Sequence, residues 1–161
     1  MPSFDVVSEI NMQEIDNAVN QTSKEISTRY DFKNSKSEIK LDKDKIVLIA
    51  DDEYKRKALI DVMQTKMVKR GIALNALDIG KSEQATGNTL RIEVKLVQGI
   101  EKEKAKEIVR FIKDGKFKVN TQIMDDQLRV SSKSRDELQA VITALGAKDF
   151  GLPLQYNNFR D

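Results

Sequence analysis

The amino-acid sequence predicts an α+β protein built of two tandem βαββαβ domains, and three observations lead to that fold class. Apolar residues recur first at strand and then at helix spacing, in the order strand, helix, strand, strand, helix, strand. The same order then runs a second time. Adding 82 to Leu41, Ile46, Leu48 and Ile60 gives Ile123, Leu128, Val130 and Ile142. Each unit follows the ferredoxin-like plan, an antiparallel sheet with both helices on one face.

The first half is expected over residues 1–80. A short strand, Ser3–Glu9, precedes a helix that begins after Asn11 and runs to about Arg29. A hairpin follows, with strands around residues 39–41 and 46–50. The next helix, capped by Asp51 or Asp52, has an apolar stripe and ends at Gly71. That stripe comprises Tyr54, Ala58, Leu59, Val62, Met63 and Met67. Residues 73–79 close the half as a strand.

The polar residues 81–88 are predicted to be a linker, and residues 89–161 form the second half. Its first strand alternates strictly from Leu90 to Leu96. A helix ends before Gly115, and a hairpin pairs residues 117–123 with residues 128–130. Ser134 and Glu137 form a capping box that opens the last helix, and residues 153–158 are the last strand.

Composition excludes several classes of function. Lys and Arg total 28 and Asp and Glu total 26, so the net charge of +2 leaves any attraction for polyanions to local patches. The chain has no histidine and no cysteine, which removes imidazole bases, thiolate nucleophiles, disulfides and the usual zinc ligands. Because neither a secretory signal nor a long apolar run is present, we expect a cytoplasmic protein without a membrane partner.

Two short motifs are interpreted as structural. Gly80-Lys81-Ser82 resembles the end of a P-loop, but Asn75 stands where that motif needs its first glycine. The acidic run Asp51–Glu53 precedes a helix, where capping explains it better than Mg²⁺. We therefore expect no metal and no cofactor.

The sheet face opposite the helices is the first candidate surface. It is predicted to present Arg91, Glu93 and Lys95 from one strand, with Lys118 and Arg129 from the second hairpin. Amides and hydroxyls lie between these cations, and such a face suits a phosphodiester backbone. The alternatives are a solvated face or one buried against the other repeat. No aromatic residue occupies residues 45–50 or 127–132, so the base-stacking pair of the RNA-recognition motif is missing.

The run Arg29-Tyr30-Asp31-Phe32-Lys33 is the second candidate. Tyr30 could stack on a base while Arg29 and Lys33 hold phosphate. In the alternative interpretation both rings anchor the loop in the core and Arg29 pairs with Asp31. For Phe32 the core position is favoured.

Five segments resemble the YajQ family of bacterial nucleotide-binding proteins. They are MPSFDVVSE (1–9), EIDNAVNQ (14–21), RYDFK (29–33), RDELQAVI (135–142) and PLQYNNFRD (153–161). Members of the family usually carry Phe where Tyr30 and Tyr156 stand. The resemblance implies two ferredoxin-like domains that exchange their N-terminal strands, so that Ser3–Glu9 completes the second sheet and residues 89–97 complete the first. That exchange would split the basic face into one pair, Arg91 and Lys95, and another, Lys118 and Arg129.

The resemblance also implies nucleotide or nucleic-acid ligands, with cyclic di-GMP attributed to some members and RNA to others. Our hypothesis is a non-enzymatic protein that binds a nucleotide (cyclic di-GMP or GTP) or RNA. The candidate contact residues are Arg29, Tyr30, Lys33, Arg91, Lys95, Lys118 and Arg129. The alternative is an adaptor of a transcription regulator that binds no nucleotide directly. A carboxylate/Mg²⁺ nucleotide hydrolase comes third, because no constellation of residues supports it.

Overall fold

The computed structural model describes residues 1–161 and contains four α-helices and nine β-strands. The helices are α1 (Met12–Thr28), α2 (Glu53–Lys69), α3 (Lys102–Asp114) and α4 (Arg135–Gly146). The strands are β1 (Ser3–Val7), β2 (Glu38–Asp42), β3 (Lys45–Ala50), β4 (Leu77–Ile79), β5 (Glu83–Ala85), β6 (Thr89–Leu96), β7 (Asn120–Met124), β8 (Gln127–Ser131) and β9 (Gln155–Arg160). No helix is both long enough and apolar enough to cross a membrane.

The chain divides into two compact units, each with its own antiparallel sheet. One unit joins Met1–Glu9 to Gln98–Asp161, and the other is Ile10–Val97. Strand order is β7-β8-β1-β9 in the unit that contains both ends of the chain. It is β2-β3-β6-β4 in the Ile10–Val97 unit, where β5 also pairs with β6. The predicted fold class, two ferredoxin-like domains with antiparallel sheets, is confirmed. Within these sheets, β1 pairs with strands of the second half of the chain and β6 with strands of the first half.

The Ile10–Val97 unit has a core built from the apolar faces of its sheet and its two helices. Ile46 and Leu48 of β3 lie opposite Val94 and Ile92 of β6, and all four are fully buried. Ile15 of α1 and Leu59 and Met63 of α2 belong to the same buried cluster. Fully burying one such side chain is worth about 1.5–3 kcal/mol, so the face of each strand that meets the helices is set by this alternation.

Most of the buried apolar residues of the other unit come from β1, β8, α3 and α4. Phe4 and Val6 of β1 lie opposite Val130 and Leu128 of β8, and all are fully buried. The C-terminal segment is part of this unit because β9 pairs with β1. The rings of Tyr156 and Phe159 lie 5.9 Å and 5.8 Å from the ring of Phe4, measured between centroids.

Three predicted strands begin later in the structure, each for a local reason. The strand expected over residues 73–79 is only β4, because Leu74–Ala76 forms a 3-10 turn. The last strand begins at Gln155, since Pro153 has no N–H to donate to a ladder. The strand expected from Phe117 starts at Asn120, after a turn in which Lys116 has a φ of 56°.

The segment 81–88, predicted to be a linker, lies inside the Ile10–Val97 unit. It contains β5, whose Glu83 and Ala85 lie opposite Arg91 and Thr89 of β6, and a 3-10 turn at Thr86–Asn88. The unit boundaries fall instead between Glu9 and Ile10 and between Val97 and Gln98.

Candidate functional site

The turn that follows α1 places the ring of Phe32 in the core and the ring of Tyr30 in solvent. Arg29 leaves the helix in an extended conformation, and Tyr30–Phe32 forms a single 3-10 turn. Phe32 is only 6% exposed and belongs to the core of the Ile10–Val97 unit. Tyr30 is 88% exposed. A buried ring therefore anchors the turn while its neighbour projects into solvent.

Arg29 holds this turn in shape. Its Nε donates to Asp31 Oδ1 at 2.9 Å and its Nη2 donates to Asp31 Oδ2 at 2.7 Å. A carboxylate oxygen of Glu25 lies 3.7 Å from the guanidinium, which also lies 5.5 Å from the centroid of Phe32. The hydrogen bonds to Asp31 raise the pKa of Arg29, and those from Arg29 lower the pKa of Asp31. Much of the donor capacity of Arg29 is therefore used inside the loop.

Lys55, in the first turn of α2, connects that helix to the same turn. Its ammonium donates a hydrogen bond to the backbone carbonyl of Asp31. The same nitrogen lies 5.3 Å from the centroid of Phe32 and 5.5 Å from the centroid of Tyr54. Both distances are within the range of cation–π contacts. Lys55 thus places a second tyrosine beside the turn.

Tyr54 is 68% exposed, so its predicted place in the buried stripe of α2 is wrong. At 100° per residue, Tyr54 lies 140° around the helix from Leu59, which is fully buried. We call the surface formed by Arg29, Tyr30, Lys33, Tyr54 and Lys55 the tyrosine platform. The side chain of Lys33 is exposed and has no carboxylate within 4.0 Å.

Asp51 fastens the loop that follows the platform. It accepts hydrogen bonds from Lys36 N at 2.9 Å, from Ser37 Oγ at 3.3 Å and from Ser35 Oγ. Burial acts to raise the pKa of Asp51, but these hydrogen bonds outweigh it and the pKa is lowered. Asp52 caps α2 by accepting from Lys55 N at 2.8 Å. No group of three or more acidic residues is arranged to hold a metal ion.

Arg91 and Lys95 lie on the sheet face of the same unit, opposite the helices. Glu93 Oε1 accepts from Arg91 Nη1 at 2.6 Å and from Lys45 Nζ at 3.1 Å. Cross-strand neighbours in an antiparallel sheet share a face, so the register shows which other charges lie there. The cations are Lys40, Lys45, Arg91 and Lys95, and the anions are Glu38, Asp42, Asp78, Glu83 and Glu93. This face is not basic, because the edge strands bring acids beside the cations.

Arg129 and Lys118 belong to the other unit. Arg129 Nε donates to Asp5 Oδ1 at 2.9 Å, and Asn158 Nδ2 donates to Asp5 Oδ2 at 2.7 Å. Asp5 is 2% exposed; burial acts to raise its pKa, but these hydrogen bonds and the charge of Arg129 lower it overall. Lys118 lies two residues before β7, outside the strand that was predicted to carry it.

The structure thus brings together Arg29, Tyr30 and Lys33, and it places the other predicted cations elsewhere. Arg91 and Lys95 lie on a charge-balanced face, Arg129 is paired with a buried carboxylate, and Lys118 borders a cleft. The sequence analysis did not identify Tyr54 and Lys55 as candidate site residues. The signal that could have found them is their position two and three residues after the capping Asp52, in a first turn that precedes the buried stripe.

Comparison with known proteins gives one family over nearly the whole chain. Residues 2–160 match the family described as "Nucleotide-binding protein YajQ-like". A protein of Acidithiobacillus ferrooxidans is 55% identical over 161 residues, which is 100% of each chain. A protein of Geotalea uraniireducens is 55% identical over 160 residues, 99% of each chain, and one of Trichlorobacter lovleyi is 55% identical over 161 residues, 100% of each chain. All three carry the name "Nucleotide-binding protein".

Proposed function

The chain belongs to the YajQ-like family of nucleotide-binding proteins, as its sequence resemblance predicts, and we propose that it is a non-enzymatic protein that binds single-stranded RNA on the tyrosine platform. The names of the relatives support nucleotide binding, and none of the three is the name of an enzyme. The choice of ligand and of site comes from the geometry of the platform.

The observation that carries the proposal is the exposure of Tyr30 on a turn that is itself firmly held. Phe32 anchors the turn in the core, and the two hydrogen bonds between Arg29 and Asp31 close it. The backbone that carries the Tyr30 ring is therefore already ordered before a base stacks on it. Stacking of a base on an aromatic side chain is worth about 1–3 kcal/mol and tolerates any base.

Positive charge beside the ring suits a phosphodiester backbone. Lys33 follows the turn with an exposed ammonium and has no acidic partner. Lys55 lies between the turn and Tyr54, which offers a second exposed ring. Two stacking surfaces beside lysine ammonium groups match the way in which single strands are bound without sequence readout.

An open platform favours a strand over a small cyclic dinucleotide. Sites for small ligands are concave and bury most of the ligand's surface. A ring that is 88% exposed, as Tyr30 is, cannot be the wall of such a site. Cyclic di-GMP is therefore the competitor in the test and RNA the proposed ligand.

The acidic groups with perturbed pKa values have structural partners, which supports a non-enzymatic role. Asp5 is paired with Arg129, Asp31 with Arg29, and Asp51 with two hydroxyls and a backbone N–H. Glu25 and Glu93 are each paired with lysine and arginine side chains. None is left as a free acid or base at the platform.

Fluorescence anisotropy of a labelled RNA strand of about ten nucleotides, within the span of single-strand sites, tests the proposal. The nucleotide-free protein is titrated in rising salt, with unlabelled cyclic di-GMP as competitor. We expect the logarithm of the binding constant to fall linearly with the logarithm of the salt concentration. The slope should be about −0.7 for each phosphate neutralised. We also expect no displacement by the dinucleotide.

Two results would overturn the proposal. Displacement of the RNA by low concentrations of cyclic di-GMP would indicate a shared small-ligand site. No change in anisotropy at low salt would favour the adaptor of a transcription regulator.

A further inference from the structure

A second candidate site lies in the unit formed by Met1–Glu9 and Gln98–Asp161. An open cleft of about 600 Å³ is lined by the segment before β7 and the start of α4. Its lining residues are Met1, Phe117, Lys118, Val119, Asn120, Ser132, Lys133, Ser134 and Glu137. The volume lies within the range of small-molecule sites, about 300–1,000 Å³.

The floor of the cleft is fixed by Ser132, which is 3% exposed. Its backbone N–H donates to Pro2 O at 3.0 Å, and its hydroxyl donates to Lys118 O at 2.8 Å. The same hydroxyl accepts from Ser134 N at 3.1 Å. One buried residue therefore ties three segments of the cleft lining together.

The aromatic wall of the cleft depends on Gly115. A Cβ added to this glycine would lie 2.4 Å from Cε2 of Phe117. The ring of Phe117 therefore lies directly over the glycine backbone, in space that any other residue would occupy. Phe117 and Val119 together give the cleft an apolar side.

The internal repeat shows how this cleft differs from the equivalent positions of the Ile10–Val97 unit. With the offset of 82, Ser35, Ser37 and Asp51 correspond to Phe117, Val119 and Lys133. In the Ile10–Val97 unit, the Asp51 carboxylate is bound by both serine hydroxyls and closes the loop. In the other unit the hydroxyls are replaced by apolar side chains and the carboxylate by a cation. Positions that form a closed polar contact in one unit therefore line an open cationic cleft in the other.

Two lysines in the cleft have no acidic partner. Lys118 and Lys133 are exposed, and neither has a carboxylate within 4.0 Å, whereas Arg29, Arg91 and Arg129 are all paired. The nearby Glu137 is engaged with the backbone, because its Oε2 accepts from Lys118 N at 3.2 Å. The side chain of Asn120 adds an amide.

We propose that this cleft binds a nucleoside phosphate. The phosphate lies between the ammonium groups of Lys118 and Lys133, where opposite charge favours it. The base and sugar lie against Phe117 and Val119, with Asn120 within the lining for a hydrogen bond to a polar edge. Glu137 opposes the phosphate, so its negative charge weakens binding. This site is independent of the tyrosine platform, which belongs to the other unit.

The test is a titration of the ¹⁵N-labelled full chain with GMP, followed by NMR, with guanosine and inorganic phosphate as separate probes. We expect amide shifts at residues 117–120 and 132–134 with GMP. Lys118→Gln and Lys133→Gln should each weaken GMP binding about two- to fivefold, the range for an exposed ion pair. Glu137→Gln keeps an acceptor for Lys118 N but loses the charge, so it should tighten binding.

Lys113→Gln is the matched control, because it removes an exposed lysine from the same unit outside the cleft. If Lys113→Gln weakened GMP binding as much as the cleft variants do, the loss of net charge alone would explain the effect, and the proposal would be overturned. Guanosine or inorganic phosphate binding as tightly as GMP would also overturn it, as would shifts confined to residues 29–33. The Tyr30→Ala chain should bind GMP like the wild type, which separates this site from the platform.

Discussion

Removal of the Tyr30 ring is the perturbation that separates function from stability most cleanly. The side chain is 88% exposed, and the hydrogen bond that this residue makes in the turn, Lys33 N to Tyr30 O at 3.1 Å, uses its backbone. Tyr30→Ala therefore leaves Phe32 and the contacts between Arg29 and Asp31 in place. Exposed substitutions of this kind change the free energy of unfolding by no more than about 0.5 kcal/mol.

The expected loss of RNA affinity follows from the stacking it removes. One base stacked on one ring is worth about 1–3 kcal/mol. Since about 1.4 kcal/mol corresponds to a tenfold change in Kd, Tyr30→Ala should weaken RNA binding by about 5- to 150-fold. Tyr30→Phe keeps the ring and should bind RNA within about twofold of the wild type, because stacking does not need the hydroxyl.

The assay is anisotropy of the labelled RNA at one fixed low salt concentration, with urea unfolding measured on every variant. Phe159→Ala is the control for loss of an exposed aromatic ring, since Phe159 is 64% exposed and belongs to the other unit. It should leave RNA binding unchanged. Wild-type affinity of the Tyr30→Ala chain would refute stacking at the platform. A large fall in its urea midpoint would show that Tyr30 is structural.

Three further predictions concern charge. Lys33→Gln should reduce the slope of log Kd against log salt by about 0.7, measured by anisotropy, and an unchanged slope would exclude a phosphate contact there. Asp51→Ala should cost about 1–2 kcal/mol in urea unfolding, because it releases the hydrogen bonds to Ser37 and Lys36; full stability would contradict that role. Asp5→Asn should cost about 2 kcal/mol at neutral pH. Since the pKa of Asp5 is lowered by folding, its contribution is present above the unfolded pKa of about 4 and is lost as pH falls through the folded pKa. The difference between wild type and Asp5→Asn should therefore shrink in acid, and a constant difference would refute the linkage.

The helices and most strands could be predicted because the spacing of apolar residues reports burial directly. Leu90 to Leu96 alternates, and β6 spans Thr89–Leu96. The short strand β5 was not predicted, because its three residues, two of them exposed and polar, show no alternation of apolar and polar side chains. Tyr54 was wrongly assigned to the buried face of α2, because an aromatic ring at the edge of an apolar stripe is compatible with either the buried or the exposed face of a helix.

The charge of the sheet face could not be predicted, because it depends on cross-strand register. Lys95 lies opposite Asp78, and Arg91 lies opposite Glu83, although 17 and 8 residues of sequence separate the two members of these pairs. Local sequence showed the cations on β6 but not the acids that pairing brings beside them. For the turn after α1, residue type favoured a core position for Phe32 but left the direction of Tyr30 open.

The central claim is that RNA binds at the tyrosine platform, and the most direct measurement is an NMR titration of the ¹⁵N-labelled full chain with the single-stranded RNA. We predict amide shifts at residues 29–33 and at Tyr54 and Lys55. Shifts confined to the cleft residues 117–120 and 132–134, or no shifts at low salt, would contradict the claim.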